Sequence, residues 1–396
     1  MRTLIVNAVL LDGTGADPVP GASVLVEGDR IVEIDVTGTA RRPSADLVVD
    51  AGGGTLMPGL IDLHVHFLGS SQTASWTEID KTLYGVEQGR LALDAGITTA
   101  RDVGAKEQSI FALRDHFADG RLDGPRVLAC GAMIAMTGGH GSPFNTRECD
   151  GPDEVRKGTR EQLRAGADWI KISATGGAAT ANEKITSVQF DPEEMRMAVH
   201  EATKAGKYVC AHAHAALGIR QAVQAGVRTI EHGVFIDDET AAVMLEHGAW
   251  LVPTLSAYVA IVEQGPAFGI PAYMQDKARM VTGLHVQSVA RAYQAGVPIA
   301  FGTDAAGRYN PIGRSVVREV ELLTEAGMPL AEVARSATSV AAEALGIADT
   351  VGTVEVGKRA DLIILAGDPL RTAGAYRSVS FVMSGGVVKR RLAFDR

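Results

Sequence analysis

The side chains of this chain with the clearest capacity for chemistry are histidines, carboxylates and one lysine, each at or near the end of a short apolar run. The first such run is Leu60-Ile-Asp-Leu-His64-Val-His66. Side chains on a strand repeat every two residues, so His64 and His66 project from one face and can share a metal ion. Cys210-Ala-His212-Ala-His214 repeats that spacing, Ile230-Glu-His232-Gly adds an imidazole, and Phe301-Gly-Thr-Asp304 ends on a carboxylate. Asp62 shares the face of His64, whereas Glu231 directly precedes His232 and is expected to point the other way. Each residue alone has an ordinary structural alternative, such as a buried imidazole bonded to a backbone carbonyl. Random scatter of the 10 histidines would seldom set ligand-type residues at the ends of four separate runs.

Lys171 is the odd member, set inside the apolar run Trp169-Ile-Lys171-Ile. Burying an ammonium without a partner is expensive, and such a lysine is expected to shed its proton. A neutral amine can add carbon dioxide, giving a carbamate whose two oxygens can bridge two cations. The alternative is a lysine at a strand end that reaches solvent or pairs with a carboxylate.

The frame that must position these residues is large. At 396 residues the chain suits two or three domains, or one α/β barrel with an attachment. Apolar residues at 46% and charged residues at 21% exclude disorder, collagen-like repeats and coiled coil. Lys plus Arg number 38 against 47 Asp plus Glu, a net charge of −9, which offers no footprint for nucleic acid or an anionic membrane. The three cysteines, Cys130, Cys149 and Cys210, form neither a disulfide framework nor a CxxC site and suit a reducing compartment. No signal peptide is read at the N-terminus, and no run reaches the roughly 18 apolar residues of a membrane helix, so a cytoplasmic protein is expected. Nothing in the sequence opposes a homo-oligomer.

Residues 1–55 read as short strands (3–11, 22–27, 30–35, 47–50) between Gly, Asp and Pro turns, and residues 351–396 repeat that texture. Neither piece can bury both faces of a sheet, so the two are expected to combine into one small β-sandwich domain. Between them, residues 56–350 alternate helix and strand, with glycine closing helix after helix at Gly96, Gly166, Gly206, Gly226, Gly248, Gly296 and Gly327. Strands are expected at 60–64, 98–102, 126–131, 169–172, 208–212, 229–232, 250–254 and 299–304. Eight strands with intervening helices predict an α/β fold of the closed (β/α)8, TIM-like type, and no GxGxxG follows the first strand to favour an open sheet. Barrel active sites lie at the C-terminal ends of strands, where the histidines and Asp304 fall.

With these motifs the chain resembles the amidohydrolase superfamily, and within it the branch of imidazolonepropionase-like and Xaa-Pro dipeptidase-like metal-dependent hydrolases. The likeness runs nearly end to end, through Met57-Pro-Gly-Leu-Ile-Asp-Leu-His-Val-His66, Ala95-Gly-Ile-Thr-Thr-Ala-Arg-Asp102, Thr137-Gly-Gly-His-Gly141, Lys171, Ala211-His-Ala-His214, Ile230-Glu-His-Gly233, Gly302-Thr-Asp304 and Gly352-Thr-Val-Glu-Val-Gly-Lys-Arg-Ala-Asp-Leu362. It implies two divalent ions, usually zinc. His64, His66 and Asp304 would hold one and His212 and His232 the other, with a carboxylated Lys171 bridging them. Spacing alone leaves His214 as good a ligand as His212; the family pattern favours His212.

The resemblance also implies the reaction. A hydroxide bridging the metals attacks an amide carbonyl, and Asp304 serves as general base and then acid. His140 donates to the carbonyl oxygen or to a substrate carboxylate. Arg101 and Asp102 carry no ligand role and read as a rim salt bridge or as a brace behind the ligands. Specificity is expected in the long loops 67–81, 132–151, 173–187 and 255–275. Arg308 and Tyr309 follow Asp304 closely and Arg147 lies in the strand-three loop; either arginine could clamp a carboxylate, and Trp76 and Tyr258 could form an aromatic wall. The likeness departs at Pro311-Ile-Gly313, where relatives carry a histidine before the glycine. The expected substrate is a dipeptide, an N-acyl amino acid or a related xenobiotic amide. Aryl amides, ureas, carbamates or cyclic amides come second, and a non-catalytic metal- or ligand-binding barrel is the alternative of another class.

Overall fold

The two ends of the chain meet in one eight-stranded sheet. In a computed structural model that describes residues 1–38, 43–69, 73–142 and 144–391, the order across it is Val387–Arg391, Val379–Ser384, Leu362–Leu365, Thr55–Pro58, Arg2–Leu10, Val19–Glu27 and Arg30–Asp35, with Leu47–Asp50 also paired to Arg2–Leu10. The seam is the antiparallel register Leu362↔Pro58 to Leu365↔Thr55. Period-two alternation sends Ile5, Val24, Leu56, Ile364 and Phe381 into one core and Leu4, Val6 and Leu25 into another. The seam sets the end of the N-terminal segment directly before Leu60–Val65, the strand that carries His64.

Residues 60–252 supply parallel strands in two sheets. One holds Leu60–Val65, Ile97–Asp102 and Arg126–Ala129; the other runs Thr146–Glu148, Met133–Ala135, Trp169–Ser173, Tyr208–Ala213, Thr229–His232 and Trp250–Val252. Helices alternate with them, among them Glu78–Asp94, Gly151–Ala165, Pro192–Lys204, Ala216–Gln224 and Asp238–Glu246. Gly166, in the left-handed conformation at φ 100°, ends one helix and lets the chain reverse into Trp169–Ser173. The strand expected at 126–131 stops at Ala129, because Gly131 turns to φ 71°, and pairing resumes at Met133–Ala135.

The stretch expected as an eighth strand, 299–304, makes only isolated parallel bridges, Leu251↔Ile299 on one side and Val65↔Ala305 on the other. A side chain replaces part of the ladder. Asp62 Oδ1 accepts from the Thr303 N–H at 3.0 Å and Oδ2 from its hydroxyl at 2.7 Å. Asp304 then turns to φ 48°. Ladder bonds survive around it, from Ala300 N to Leu251 O and from Leu63 N to Phe301 O. Ile61, Leu63, Trp169, Cys210, Val252 and Ala300, from both sheets and from this stretch, pack into one buried cluster. All three cysteines are free and buried, and no helix among the described residues is long and apolar enough to cross a membrane.

Candidate metal centre

His64 and His66 leave the same face of their strand, and each ring is pinned through one nitrogen. His64 Nδ1 donates to Glu231 Oε2 at 2.8 Å, and His66 Nδ1 to the carbonyl of Gly104 at 3.1 Å. Both partners only accept, so Nδ1 carries a proton in each ring and both Nε2 atoms are turned towards the site; burial lowers His66, but the Asp304 carboxylate outweighs it and raises that imidazole above its ordinary range. These point at one acid: Asp304 Oδ1 lies 3.5 Å from His64 Nε2 and 3.3 Å from His66 Nε2. Burial raises the Asp304 carboxyl, but the neighbouring His64 and His66 outweigh it and hold the acid below its ordinary range. Burial, with the Lys171 charge, pushes His64 down to about 4, so at neutral pH it is a neutral imidazole.

Glu231 does not point away, as the alternation along its strand predicts. Its two oxygens serve His64 and Arg101 Nη2, each at 2.8 Å, and it is fully buried. The strand ends in a left-handed residue, His232 at φ 73°, and that break in the extended backbone lets Glu231 and His232 both reach the site. Burial raises Glu231, yet the Arg101 guanidinium overrides it and keeps the group ionised. Arg101 also donates to Leu63 O and stands 4.6 Å over the Trp169 ring. Of the two expectations for Arg101 and Asp102, the rim salt bridge gives way to a buried Arg101–Glu231 pair that braces His64 from behind, while Asp102 accepts from the Phe67 and Gly104 N–H groups.

A second group comprises His212, His214 and His232, whose ligand atoms all lie within 4.8 Å of one another, as do those of His64, His66 and Asp304. The hydroxyl proton of Thr254 goes to Pro253 O, so its oxygen accepts from His232 Nδ1 at 2.6 Å and leaves His232 Nε2 free. His212 Nε2 faces Gly176 O at 3.3 Å, and His214 Nε2 meets the Tyr258 hydroxyl at 2.8 Å with Nδ1 unpartnered. Burial first, then the charge of a neighbouring imidazole (His140 at His212, His285 at His214, His212 at His232), holds all three well below their ordinary range, in the neutral form that binds metals. The rings of His64 and His232 lie 4.9 Å apart, so the two groups adjoin.

Lys171 is 2% exposed, and its Nζ has no hydrogen-bond partner among the described residues. Its charge acts on His64 and Asp304 from the first group and on His212, His214 and His232 from the second. Register places it beside Cys210, two residues before the Ser173↔His212 pair. The backbone around the site is strained: His232, Thr254 and Asp304 all have positive φ. Side-chain bonds hold two of these turns, with His285 Nε2 donating to His232 O at 2.7 Å and Asn310 Nδ2 to Asp304 O at 2.9 Å.

His140 stacks on His212 with ring centroids 3.8 Å apart, and its Nδ1 is 2.7 Å from Glu183 Oε1. Burial raises Glu183, but His140 and the Gly177 N–H more than offset it. Glu183, His285 and Thr254 escape the sequence reading because each binds its partner across a gap in the chain, with no local spacing to mark it. A cavity of about 90 Å³ opens over His66, His140, His212, His232 and Asp304, and its other wall is apolar, with Phe144, Tyr258, Ile261, Met274 and Tyr309. Among the described residues no lysine or arginine lines it. Arg308 is exposed and faces separate cavities, one of them shared with Trp76, while Arg147 pairs with Glu161 at 2.9 Å. Residues 70–72 and 143, in two of the long loops, lie outside the described residues.

Known proteins share this arrangement of chain. Ochratoxinase of Aspergillus niger is 29% identical, the match covering 97% of this chain and 86% of that one. Among solved structures, an amidohydrolase superposes with a TM-score of 0.92 at 35% identity, covering 99% of this chain and 100% of that one. A Xaa-Pro dipeptidase with methionine in its active site gives 0.91 at 33% identity, over 98% and 99%. The amidohydrolase family profile matches residues 55–391, nearly everything from the seam of the terminal sheet onward. The chain belongs to the amidohydrolase family.

Proposed function

We propose that this protein is a binuclear metal-dependent hydrolase of amide bonds. Its frame is a closed (β/α)8 barrel over residues 56–350, with a β-sandwich domain built from residues 1–55 and 351–396. The observation that carries the reading is Lys171: a sealed amine without a partner, acting on two adjoining sets of ligand atoms. The donor set fits two cations. His64, His66 and Asp304 would hold one, His212 and His232 the other, and a carbamate on Lys171 Nζ would join them. Zinc suits neutral imidazoles with carboxylate oxygens. Bound divalent ions supply Lewis acidity and lower the pKa of water towards neutrality.

The protein groups do the rest. Asp304 accepts a proton from the attacking water at its carboxylate and returns it to the departing amide nitrogen. Glu183 fixes His140 through Nδ1, leaving Nε2 for the substrate's carbonyl oxygen or carboxylate. Tyr258 keeps His214 behind the ligands. The apolar wall supports a substrate with an apolar side group, a dipeptide, N-acyl amino acid or related xenobiotic amide; the similar Xaa-Pro dipeptidase and ochratoxinase support the same class. The lack of a lining lysine or arginine favours a second reading, an uncharged aryl amide, urea, carbamate or cyclic amide. The free, buried cysteines suit a cytoplasmic setting.

Metal analysis joined to an amide library tests the reading. About two zinc ions per chain are expected, with hydrolysis lost in Lys171→Ala and restored by a short carboxylic acid. Full activity in Lys171→Ala would remove the bridge. Less than one metal per chain, with no amide hydrolysed, would instead favour a binding barrel.

A further inference from the structure

Thr254 stands before the helix Leu255–Glu263, yet its hydroxyl does not cap it. That oxygen is committed elsewhere, accepting from His232 Nδ1 and donating to Pro253 O. The first N–H groups of a helix need acceptors all the same. Here the acceptor comes from 64 positions on: Glu319, in the helix Arg314–Glu325, accepts from Leu255 N at 3.0 Å through Oε1 and from Ser256 N at 2.7 Å through Oε2. Glu319 is fully buried, with no ion pair among the described residues. Burial pushes its carboxyl up to about 8, against the pull of the two N–H groups. A hydroxyl left free to cap its own helix would satisfy those groups without sealing in an acid.

The segment that Glu319 holds reaches both ligand groups. Thr254, left-handed at φ 56°, orients His232 of the second group. Ser256 Oγ lies 3.0 Å from Thr303 O, directly before the turn at Asp304 of the first group. A carbonyl only accepts, so the serine hydroxyl donates. Thr254, Ser256 and Thr303 are all fully buried.

We propose that Glu319 is a positioning residue for both ligand groups: it fixes the start of Leu255–Glu263, so that Thr254 aims His232 and Ser256 holds the turn into Asp304. The inference rests on the binuclear reading above. Whether ionised or protonated, a carboxyl accepts both N–H groups; an amide accepts one and turns its own N–H against the other.

Chelator competition on the zinc-loaded full chain tests it, with two stepwise dissociation constants read for each protein. Both constants should rise about tenfold in Glu319→Gln. Ser256→Ala, which keeps its N–H on Glu319, should raise one of the two several-fold. Thr77→Ala removes the cap of Glu78–Asp94 and serves as the structural comparison: its urea midpoint should fall with both constants unchanged. With cobalt in place of zinc, the visible absorption of the bound ions should shift in Glu319→Gln and not in Thr77→Ala. Parent-like constants in folded Glu319→Gln overturn the inference, as does an equal rise in Thr77→Ala. Should Glu319→Gln fail to fold, parent-like constants in Ser256→Ala overturn it. A parent that binds fewer than two ions removes the binuclear reading, and this inference with it, before any variant is compared.

Discussion

Glu231 joins His64 to Arg101 through its two carboxylate oxygens, each contact 2.8 Å long and sealed from solvent. A buried Arg–Glu pair can only break even against apolar packing, so stability does not explain it well. Orientation does. With Nδ1–H of His64 held by an anion, Nε2 is fixed towards Asp304 and made more basic.

Glu231→Gln keeps the shape and removes the charge. Arg101 then lacks its counter-ion, and a loss of about 3–5 kcal/mol is expected in urea unfolding. Metal affinity should fall roughly 10–100-fold. Chelator competition reads the second effect, and unchanged affinity in the folded variant would reduce Glu231 to a structural role.

The backbone of Gly177 lies against the stacked pair of His140 and His212. A Cβ there would stand 2.3 Å from His140 Cε1 and 2.9 Å from His212 Cε1, so one ring must move. Gly177→Ala should lower kcat/KM on the order of 100-fold, by misplacing a reacting group, with unfolding near that of the parent. Steady-state kinetics beside a thermal melt separates the two.

Lys171→Met removes the orphaned amine while keeping its bulk. In metal-stripped protein the variant should be the more stable, by about 1–3 kcal/mol, because no polar atom is left unsatisfied. With metal present the order should reverse, since ions bound to the native parent add to its stability. Urea melts with and without chelator show both; a stable, paired Lys171 in the stripped parent would give the opposite sign in the first.

Glu201 offers a pH effect away from the metal centre. Its bond to Arg160 draws it down, against burial, from 4.5 to about 2, with Lys204 adding to the pull. A carboxylate depressed on folding stabilises above its unfolded value, and that stabilisation fades as pH falls from 4.5 towards 2. Glu201→Gln should therefore melt below the parent at pH 7 and match it near pH 2. A gap of the same size at both pH values would assign the effect to packing between Gly151–Ala165 and Pro192–Lys204.

Much of this protein is written in short-range pattern. Period-two spacing put His64 with His66 and His212 with His214, glycines marked the helix ends, and ligand-type residues stood at strand ends. Those features depend only on each residue's own backbone and near neighbours, so the family and the candidate ligand residues are legible without coordinates. What the tertiary structure alone decided involves partners far apart in the chain. Glu231 meets His64 across 167 positions, His285 reaches the carbonyl of His232 across 53, and Glu183 holds His140 across 43. Asp62 likewise takes the place of strand pairing at Thr303, 241 residues away. Such pairings follow from the register between strands and from left-handed turns at His232 and Asp304, which overrule the local alternation. The same cause turned Glu231 inward against expectation and left Arg308 facing a different cavity from the metal centre.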